Sequence, residues 1–223
     1  MSTNATTPTT GTHIRIQAAS GKAEELAAFL GGGAPLIKAG EPGTLQWIAQ
    51  REGPDAFRIV DFFANEDGRA AHFAGAVAAA LQEQAPGLVQ SGWDDGVVAN
   101  IRNGEVLASL VRASDAHATP ALASYIEIKA QAGQADNLAA FLAGGAAIIE
   151  RTEPGTLLWY ALRLDATTFA IYDVFVDAQA RDAHFAGAVA SALAESAATL
   201  VEGGWDDGVV KNVVHAEVLS ITF

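Results

Sequence analysis

Cysteine is absent from this chain of 223 residues. The absence excludes disulfide bonds, thiolate metal ligands and cysteine nucleophiles, and it favours a reducing compartment, so we predict a cytoplasmic protein. Histidine is scarce as well, because only 5 are present for metal binding or acid–base chemistry. The sequence also lacks an apolar run as long as a membrane-spanning helix requires.

Positive charge is in short supply. The 13 Lys and Arg residues face 26 Asp and Glu residues, which gives a formal net charge of -13. So acidic a surface repels nucleic-acid phosphates and anionic lipid headgroups, and we therefore expect neither nucleic acid nor a membrane as a partner. Residues 1–12 are rich in Thr and lack the apolar segment of a secretory signal peptide, so we predict a disordered leader there.

The sequence repeats itself once, without gaps, at an offset of 112 residues. Residues 13–111 match residues 125–223, and about half of the aligned positions are identical. Shared stretches include EPGTL at 41–45 and 153–157, HFAGAVA at 72–78 and 184–190, and GWDDGVV at 92–98 and 204–210. We predict two homologous units, 13–111 and 125–223, joined by a linker over residues 112–124.

Each repeat alternates between strand and helix patterns, most clearly in the second copy. Alternating apolar residues predict strands at 125–129, 156–163, 169–176 and 217–223, and helical spacing predicts helices around 138–142 and over 178–197. This β-α-β-β-α-β order is typical of a ferredoxin-like unit. One sheet face of such a unit must be covered, so we predict an α+β fold in which two ferredoxin-like units form an intramolecular α+β barrel.

One acidic residue interrupts an otherwise apolar strand pair in the first repeat. With a hairpin loop at about 52–56, the antiparallel register places Trp47 opposite Asp61 and Leu45 opposite Phe63. A carboxylate in such a stripe must find a hydrogen-bond donor or raise its pKa. Asp61 is therefore a candidate functional residue.

The second repeat has the same arrangement, with Trp159 opposite Asp173. His72 and His184 begin the second predicted helix of their repeats, and each lies beside its aspartate if that side of the helix packs on the sheet. An Asp–His pair next to an indole can carry acid–base chemistry. The alternative is structural: an indole–carboxylate hydrogen bond, with the histidine exposed on the helix.

These segments resemble the antibiotic biosynthesis monooxygenase superfamily. The shared pattern is EPGT, a hydrophobic strand pair that ends in an acid, and Ala-His-Phe on a helix. It is found at residues 41–44, 47, 57–63 and 71–73, and again at 153–156, 159–161, 169–175 and 183–185. The resemblance implies a dimeric α+β barrel, here formed by two tandem copies fused in one chain as a monomeric pseudo-dimer or a homodimer of it.

The resemblance also implies an activity, because some members oxygenate quinols or anthrones without metal or flavin. We expect a cofactor-independent monooxygenase that oxidises a small aromatic quinol or phenol with dioxygen, with no cofactor and no metal. By this analogy the candidate catalytic residues are Asp61, His72, Asp173 and His184. The candidate substrate-binding residues are Trp47, Phe63, Trp159, Tyr172 and Phe175.

Other functions stay open at this point. The same fold could be a non-catalytic small-molecule-binding α+β barrel protein, or it could carry an isomerase or lyase. Tyr172 corresponds to Val60 in the first repeat, so we expect the two pockets to differ. A filled interior would oppose both the enzymatic and the binding hypotheses.

Overall fold

A computed structural model describes residues 7–112 and 120–223. Both repeats contain four strands, with a pair of helices after the first strand and another pair after the third. The elements of the first repeat are β1 Thr10–Gln17, α1 Ala23–Gly31, α2 Gly33–Gly40, β2 Thr44–Arg51, β3 Ala56–Phe63, α3 Glu66–Phe73, α4 Ala76–Leu88 and β4 Ile101–Val111. Those of the second repeat are β5 Leu122–Lys129, α5 Ala135–Ala143, α6 Gly145–Thr152, β6 Thr156–Arg163, β7 Thr168–Phe175, α7 Ala178–Phe185, α8 Ala188–Leu200, α9 Gly204–Gly208 and β8 Val213–Ile221.

The compact units of the chain differ from the sequence repeats. One unit runs up to Asn103 and adds Glu217–Phe223, and the other is Gly104–Ala216. The change of unit falls inside β4 and inside β8, because the later part of each strand pairs with a strand of the other repeat. Glu217 to Ile221 pair with β2, and Glu105 to Val111 pair with β6. The unit boundaries therefore depart from those predicted at the linker.

The hydrogen-bonded strand order closes on itself as β1-β3-β2-β8-β5-β7-β6-β4. This order confirms the predicted α+β barrel of ferredoxin-like units. Within each unit the central strand is the third of its repeat, and it is antiparallel to both neighbours. The central strands β3 and β7 also carry the two aspartates.

The register across the β2–β3 hairpin confirms one predicted pair and corrects another. Trp47 lies opposite Asp61, as the hairpin length predicts. Leu45 does not lie opposite Phe63, because an irregularity between Thr44 and Gln46 shifts the register and Thr44 takes that place. A bulge adds one residue to one strand, which a regular alternation pattern does not reveal.

The long helix predicted over residues 178–197 is two helices. Helix α7 ends at Phe185 and α8 begins after Gly187, whose extended backbone interrupts the helical path. Asp177 is the N-cap of α7, and its side chain accepts a hydrogen bond from the backbone N–H of Ala180. The break places His184 in the last turn of the short helix α7.

The termini of the predicted units also change. Residues 10–12, predicted as leader, belong to β1, and Thr10 pairs with Phe63. Residues 122–124, predicted as linker, belong to β5. Of the remaining leader and linker residues, 1–6 and 113–119 lie outside the described residues.

A separate apolar core lies between sheet and helices in each unit. In the first unit Trp47 and Ile59 pack with Leu26 and Leu30 of α1, and all four are buried. The corresponding cluster of the second unit contains Trp159, with Leu138 and Leu142 of α5. Alternate side chains along these strands therefore face the helices, and the candidate site lies on this same side of the sheet.

Two glycines leave the space that the central tryptophans fill. A β-carbon on Gly33 would lie 2.4 Å from Cη2 of Trp47, and one on Gly145 would lie 2.8 Å from Cη2 of Trp159. We therefore expect Gly33→Ala and Gly145→Ala each to lower the free energy of unfolding by about 1–3 kcal/mol through overpacking, measured by urea denaturation.

Gly87→Ala is the matched control, because a β-carbon at this position in α4 meets nothing within 4 Å. Alanine should stabilise this helix by up to about 1 kcal/mol. Equal stability of the Gly33→Ala and Gly87→Ala proteins would contradict this description of the packing.

Candidate functional site

The two aspartates lie at equivalent, fully buried positions. Trp47 pairs with Asp61 and Trp159 pairs with Asp173, and both aspartates have a relative exposure of 0%. Within the part of the chain that the structure describes, neither carboxylate accepts a hydrogen bond. The alternative of an indole–carboxylate hydrogen bond is therefore not what satisfies them.

Each aspartate instead faces a histidine from the third helix of its repeat. Nε2 of His72 lies 3.7 Å from Oδ2 of Asp61, and Nε2 of His184 lies 3.6 Å from Oδ1 of Asp173. These distances are too long for a hydrogen bond but short enough for a strong charge interaction in a buried place. Both histidines are buried, so the alternative of an exposed histidine is wrong.

A glutamate of the EPGT segment, which is not among the predicted site residues, completes the site. Oε2 of Glu41 lies 2.6 Å from Nδ1 of His72, and Oε2 of Glu153 lies 2.6 Å from Nδ1 of His184. The signal available in the sequence is that this glutamate precedes the histidine by 31 residues in both repeats. Each repeat therefore contains a Glu–His–Asp cluster.

The EPGT segment positions this glutamate in two ways. The hydroxyl of Thr44 donates to Oε2 of Glu41 at 3.0 Å, and that of Thr156 donates to Oε2 of Glu153 at 3.2 Å. A glycine after the histidine leaves room for the other oxygen, since a β-carbon on Gly187 would lie 2.5 Å from Oε1 of Glu153. These contacts hold the glutamate carboxylate against the Nδ1 side of the histidine in each repeat.

Burial dominates the electrostatics of these clusters. It raises the pKa of Asp61 to about 7, although His72 lowers it and Glu41 raises it further. Burial likewise raises the pKa of Asp173 to about 6, with His184 opposing and Glu153 adding to the shift.

The pKa of His184, in the second cluster, shifts in the direction opposite to that expected from burial alone. Burial alone lowers the pKa of His184, but the carboxylates of Asp173 and Glu153 outweigh burial, so the net pKa is raised. The second cluster therefore has an imidazole and a carboxyl group whose pKa values are both raised above their ordinary values.

The two repeats differ in the space beside the histidine. In the second unit a cavity of about 290 Å³ borders His184, and in the first unit the equivalent space beside His72 is about 20 Å³. The smaller volume holds about one water molecule. The larger cavity is lined by Ile126, Trp159, Ile171, His184, Phe185, Val189, Ala190, Leu193, Trp205, Val209, Val210, Val213 and His215.

Few positions distinguish the two linings. Val213 stands where the first repeat has Ile101, and His215 stands where it has Asn103. The segment with Trp205 forms helix α9, whereas the segment with Trp93 is a series of turns. The second repeat thus combines a smaller residue with a different conformation of its half-buried tryptophan.

The predicted site residues do not all face these cavities. Trp159 and His184 line the large one, and Trp47, Asp61 and His72 line the small one. The described residues that border the large cavity do not include Asp173, Phe175 or Tyr172.

The phenylalanines and Tyr172 occupy other positions. Phe63 and Phe175 instead contact the histidine rings, at centroid distances of 5.4 and 5.3 Å from His72 and His184. Tyr172 is adjacent to Asp173 in β7, so its side chain lies on the opposite sheet face.

The described residues contain neither a metal-binding cluster nor a membrane-spanning helix. Between residues 7 and 112 and between 120 and 223, no group of three or more His, Cys, Asp or Glu side chains is arranged to hold a metal ion. Over the same ranges, no helix is both long and apolar enough to cross a membrane.

Comparison with solved structures identifies the fold. A "putative monooxygenase" from Lactobacillus acidophilus NCFM superimposes with a TM-score of 0.78 at 13% identity, covering 96% of each chain. Another from Fusobacterium nucleatum has a TM-score of 0.75 at 15% identity, covering 96% of this chain and 94% of that one.

A third structure connects the fold with a named superfamily. An uncharacterised ferredoxin-fold protein from Listeria monocytogenes, related to antibiotic biosynthesis monooxygenases, has a TM-score of 0.50 at 7% identity and covers 97% of this chain and 98% of that one. No family model and no curated protein matches the sequence. The chain shares the fold of these proteins, with the ferredoxin-like unit present in two tandem copies.

The raised pKa of Asp61 predicts how stability depends on pH. The folded protein holds this proton more tightly than the unfolded chain, so the stability it contributes is complete below the ordinary pKa of 3.8 and is lost as the pH rises through about 7. Asp61→Asn removes this loss. Its free energy of unfolding relative to the unmodified protein should rise between about pH 4 and about pH 7, by on the order of 2–4 kcal/mol in urea titrations.

Asp94→Asn, at an exposed position, is the control for removal of one carboxylate. The stability difference between this variant and the unmodified protein should change less over the same range. A difference for Asp61→Asn that does not vary with pH would show that its carboxyl group is not protonated preferentially in the folded state.

The unequal cavities predict one aromatic ligand per chain. Ala190→Phe places a ring in the large cavity, so the binding of a naphthol, measured by calorimetry, should be lost. Ala78→Phe changes the equivalent residue beside the cavity of about 20 Å³, so it should lower the melting temperature but leave the affinity unchanged. Two equivalents bound, or equal losses in both variants, would contradict the assignment to the second repeat.

Proposed function

We propose that the second repeat is a cofactor-independent monooxygenase site that oxidises a small aromatic quinol or phenol with dioxygen. The observation that carries the proposal is the imidazole of His184, which borders an apolar cavity of about 290 Å³ while its Nδ1 lies 2.6 Å from Glu153. Apolar walls with one placed polar group are typical of small-molecule sites. The monooxygenase-like fold agrees with this chemistry.

The first step of the proposed reaction is removal of the phenolic proton. Glu153 accepts a hydrogen bond from Nδ1–H of His184, which leaves Nε2 as the proton acceptor. When Nε2 takes the proton, the resulting imidazolium lies between the carboxylate of Glu153 and Asp173, whose nearer oxygen is 3.6 Å away. Trp159 supplies an aromatic wall, and the apolar lining keeps water from the phenolate.

The second step is the reaction with dioxygen. The phenolate transfers one electron to dioxygen, and the phenoxyl radical and superoxide combine to form a carbon–oxygen bond at a ring carbon that carries hydrogen. The resulting peroxide anion takes the proton from His184. The hydroperoxide so formed then loses water, together with the hydrogen of that ring carbon. One oxygen atom enters the product as a quinone carbonyl, and the other leaves as water with the two hydrogen atoms lost by the substrate.

In this proposal the cluster of the first repeat does not turn over substrate. Asp61 and His72 have the same arrangement, but the space beside them is only about 20 Å³, which is too small for an aromatic ring. Their contribution is to the packing and charge balance of the first unit. The cytoplasmic location and the monomeric or homodimeric state stay predictions from the sequence.

One observation favours a second candidate function, a non-catalytic small-molecule-binding α+β barrel protein. The Glu–His–Asp cluster is preserved in the first repeat, where the space that borders both His72 and Asp61 is only about 20 Å³. The cluster therefore has a structural use that is independent of catalysis. In this alternative an aromatic ligand raises the melting temperature without being consumed.

Oxygen uptake with a panel of hydroquinones and anthrones distinguishes the two functions. In the monooxygenase, His184→Gln removes the proton acceptor, so turnover should fall by about 100-fold or more. Asp173→Asn and Glu153→Gln should lower it as well, since each removes a charge that stabilises the imidazolium. Product quinone should form in a one-to-one ratio with the dioxygen consumed.

His72→Gln is the matched control, because it makes the same change in the repeat without the large cavity. Turnover should stay within about twofold of the unmodified protein after correction for the folded fraction. No uptake above buffer with any compound of the panel, or equal losses for His184→Gln and His72→Gln, would contradict the proposed enzyme.

A further inference from the structure

A second imidazole borders the large cavity, at a position that the proposed reaction does not use. His215 in β8 has its Nδ1 3.0 Å from Oγ of Ser124, and its ring stands edge-on to Phe185 with a centroid distance of 5.4 Å. The ring is one of the residues that line the cavity of about 290 Å³. Its hydrogen bond with Ser124 leaves the Nε2 side for a ligand.

The first repeat shows what this hydrogen bond does without the imidazole. Asn103 occupies the equivalent position, and its Oδ1 accepts a hydrogen bond of 2.7 Å from the hydroxyl of Thr12, the counterpart of Ser124. A link between the same two positions is therefore kept with either side chain. The link does not require a histidine, and among the described residues Asn103 is not one that lines the small cavity.

The two imidazoles of the second repeat are arranged around one ring. His184 and His215 each lie 5.4 Å from the Phe185 ring at an interplanar angle of 87°. Nδ1 is engaged in both, by Glu153 and by Ser124. The cavity thus has two polar positions, separated by an aromatic side chain, in a lining that is otherwise aliphatic or aromatic.

The surroundings of His215, which is exposed to solvent, favour the neutral form of its imidazole. Burial lowers its pKa and the Arg181 guanidinium lowers it further, while Asp182 opposes them. A neutral imidazole can donate to a carbonyl or accept from a hydroxyl, depending on its tautomer. Such a group suits either oxidation state of a quinol oxygen.

We propose that His215 is a specificity-determining residue that binds the second oxygen of the aromatic ligand, so that the site prefers aromatic compounds with oxygens at both ends of the ring system. This inference rests on the proposed function, because it places the first oxygen at His184. The ligand class is a dihydroxyarene or the corresponding quinone. A hydroxyarene with a single oxygen occupies the same cavity without the second hydrogen bond.

Binding measured without dioxygen tests the assignment. A naphthalenediol with one hydroxyl on each ring is compared with the corresponding naphthol by calorimetry under nitrogen. His215→Asn reproduces the residue of the first repeat, so the bond to Ser124 can be kept while the imidazole is lost. The affinity for the diol should fall roughly fivefold, the worth of one hydrogen bond, and that for the naphthol should change less than twofold.

Two further variants separate recognition from structure. His215→Gln, which places a side-chain amide with a reach similar to that of the imidazole, should recover part of the preference for the diol. Asn103→His in the first repeat should add no second binding event, because the cavity there is about 20 Å³. Equal losses for both ligands, no loss for either, or no binding of either to the unmodified protein would overturn the assignment.

The anaerobic design keeps this inference apart from the proposed activity. A protein that prefers the diol through His215 but consumes no dioxygen supports the binding assignment and contradicts the monooxygenase. A protein that consumes dioxygen and has no preference for the diol contradicts the binding assignment alone.

Discussion

A carboxyl group buried without a hydrogen bond is the constraint on which each half of this protein depends. Removing a lone carboxylate from water costs several kcal/mol, so its neighbours must balance the charge or supply a proton. In both repeats a histidine lies on one side of the aspartate, and a glutamate holds that histidine from behind. An aspartic acid that keeps its proton carries no charge, and this is the form that burial favours.

Because the unit is duplicated, two copies of the same cluster can be compared within one molecule. The cluster, the cross-strand tryptophan and the glycine that accommodates the glutamate recur in both copies, yet the space beside the histidine is about 290 Å³ in the second copy and about 20 Å³ in the first. The cluster alone therefore explains stability and charge balance, whereas an open apolar space is what allows it to act on a ligand.

The position of the imidazole relative to the cavity also sets the division of roles in the second repeat. His184 borders the cavity, and Asp173 lies behind it, so a ligand meets the imidazole rather than the carboxyl group. The carboxyl groups then act through the histidine, by raising its basicity and stabilising its protonated form. In a buried apolar environment such charge interactions are stronger than in water.

The sequence by itself determined the duplication, the β-α-β-β-α-β order and the opposition of Trp47 and Asp61, because these depend on local periodicity and on the length of one hairpin. It did not predict the bulge beside Leu45 or the break before Gly187, since each is a departure from regular spacing. The partnership of Glu41 with His72 was also missed, because a Glu-Pro-Gly segment already has a sufficient explanation as a turn. Only the tertiary structure decided how much space lies beside each histidine and from which repeat the last strand of each unit comes. Both depend on contacts between residues far apart in the chain, such as Ile126 and His215 beside the cavity or Ile48 and Ile221 across β2 and β8, and no local pattern contains such contacts.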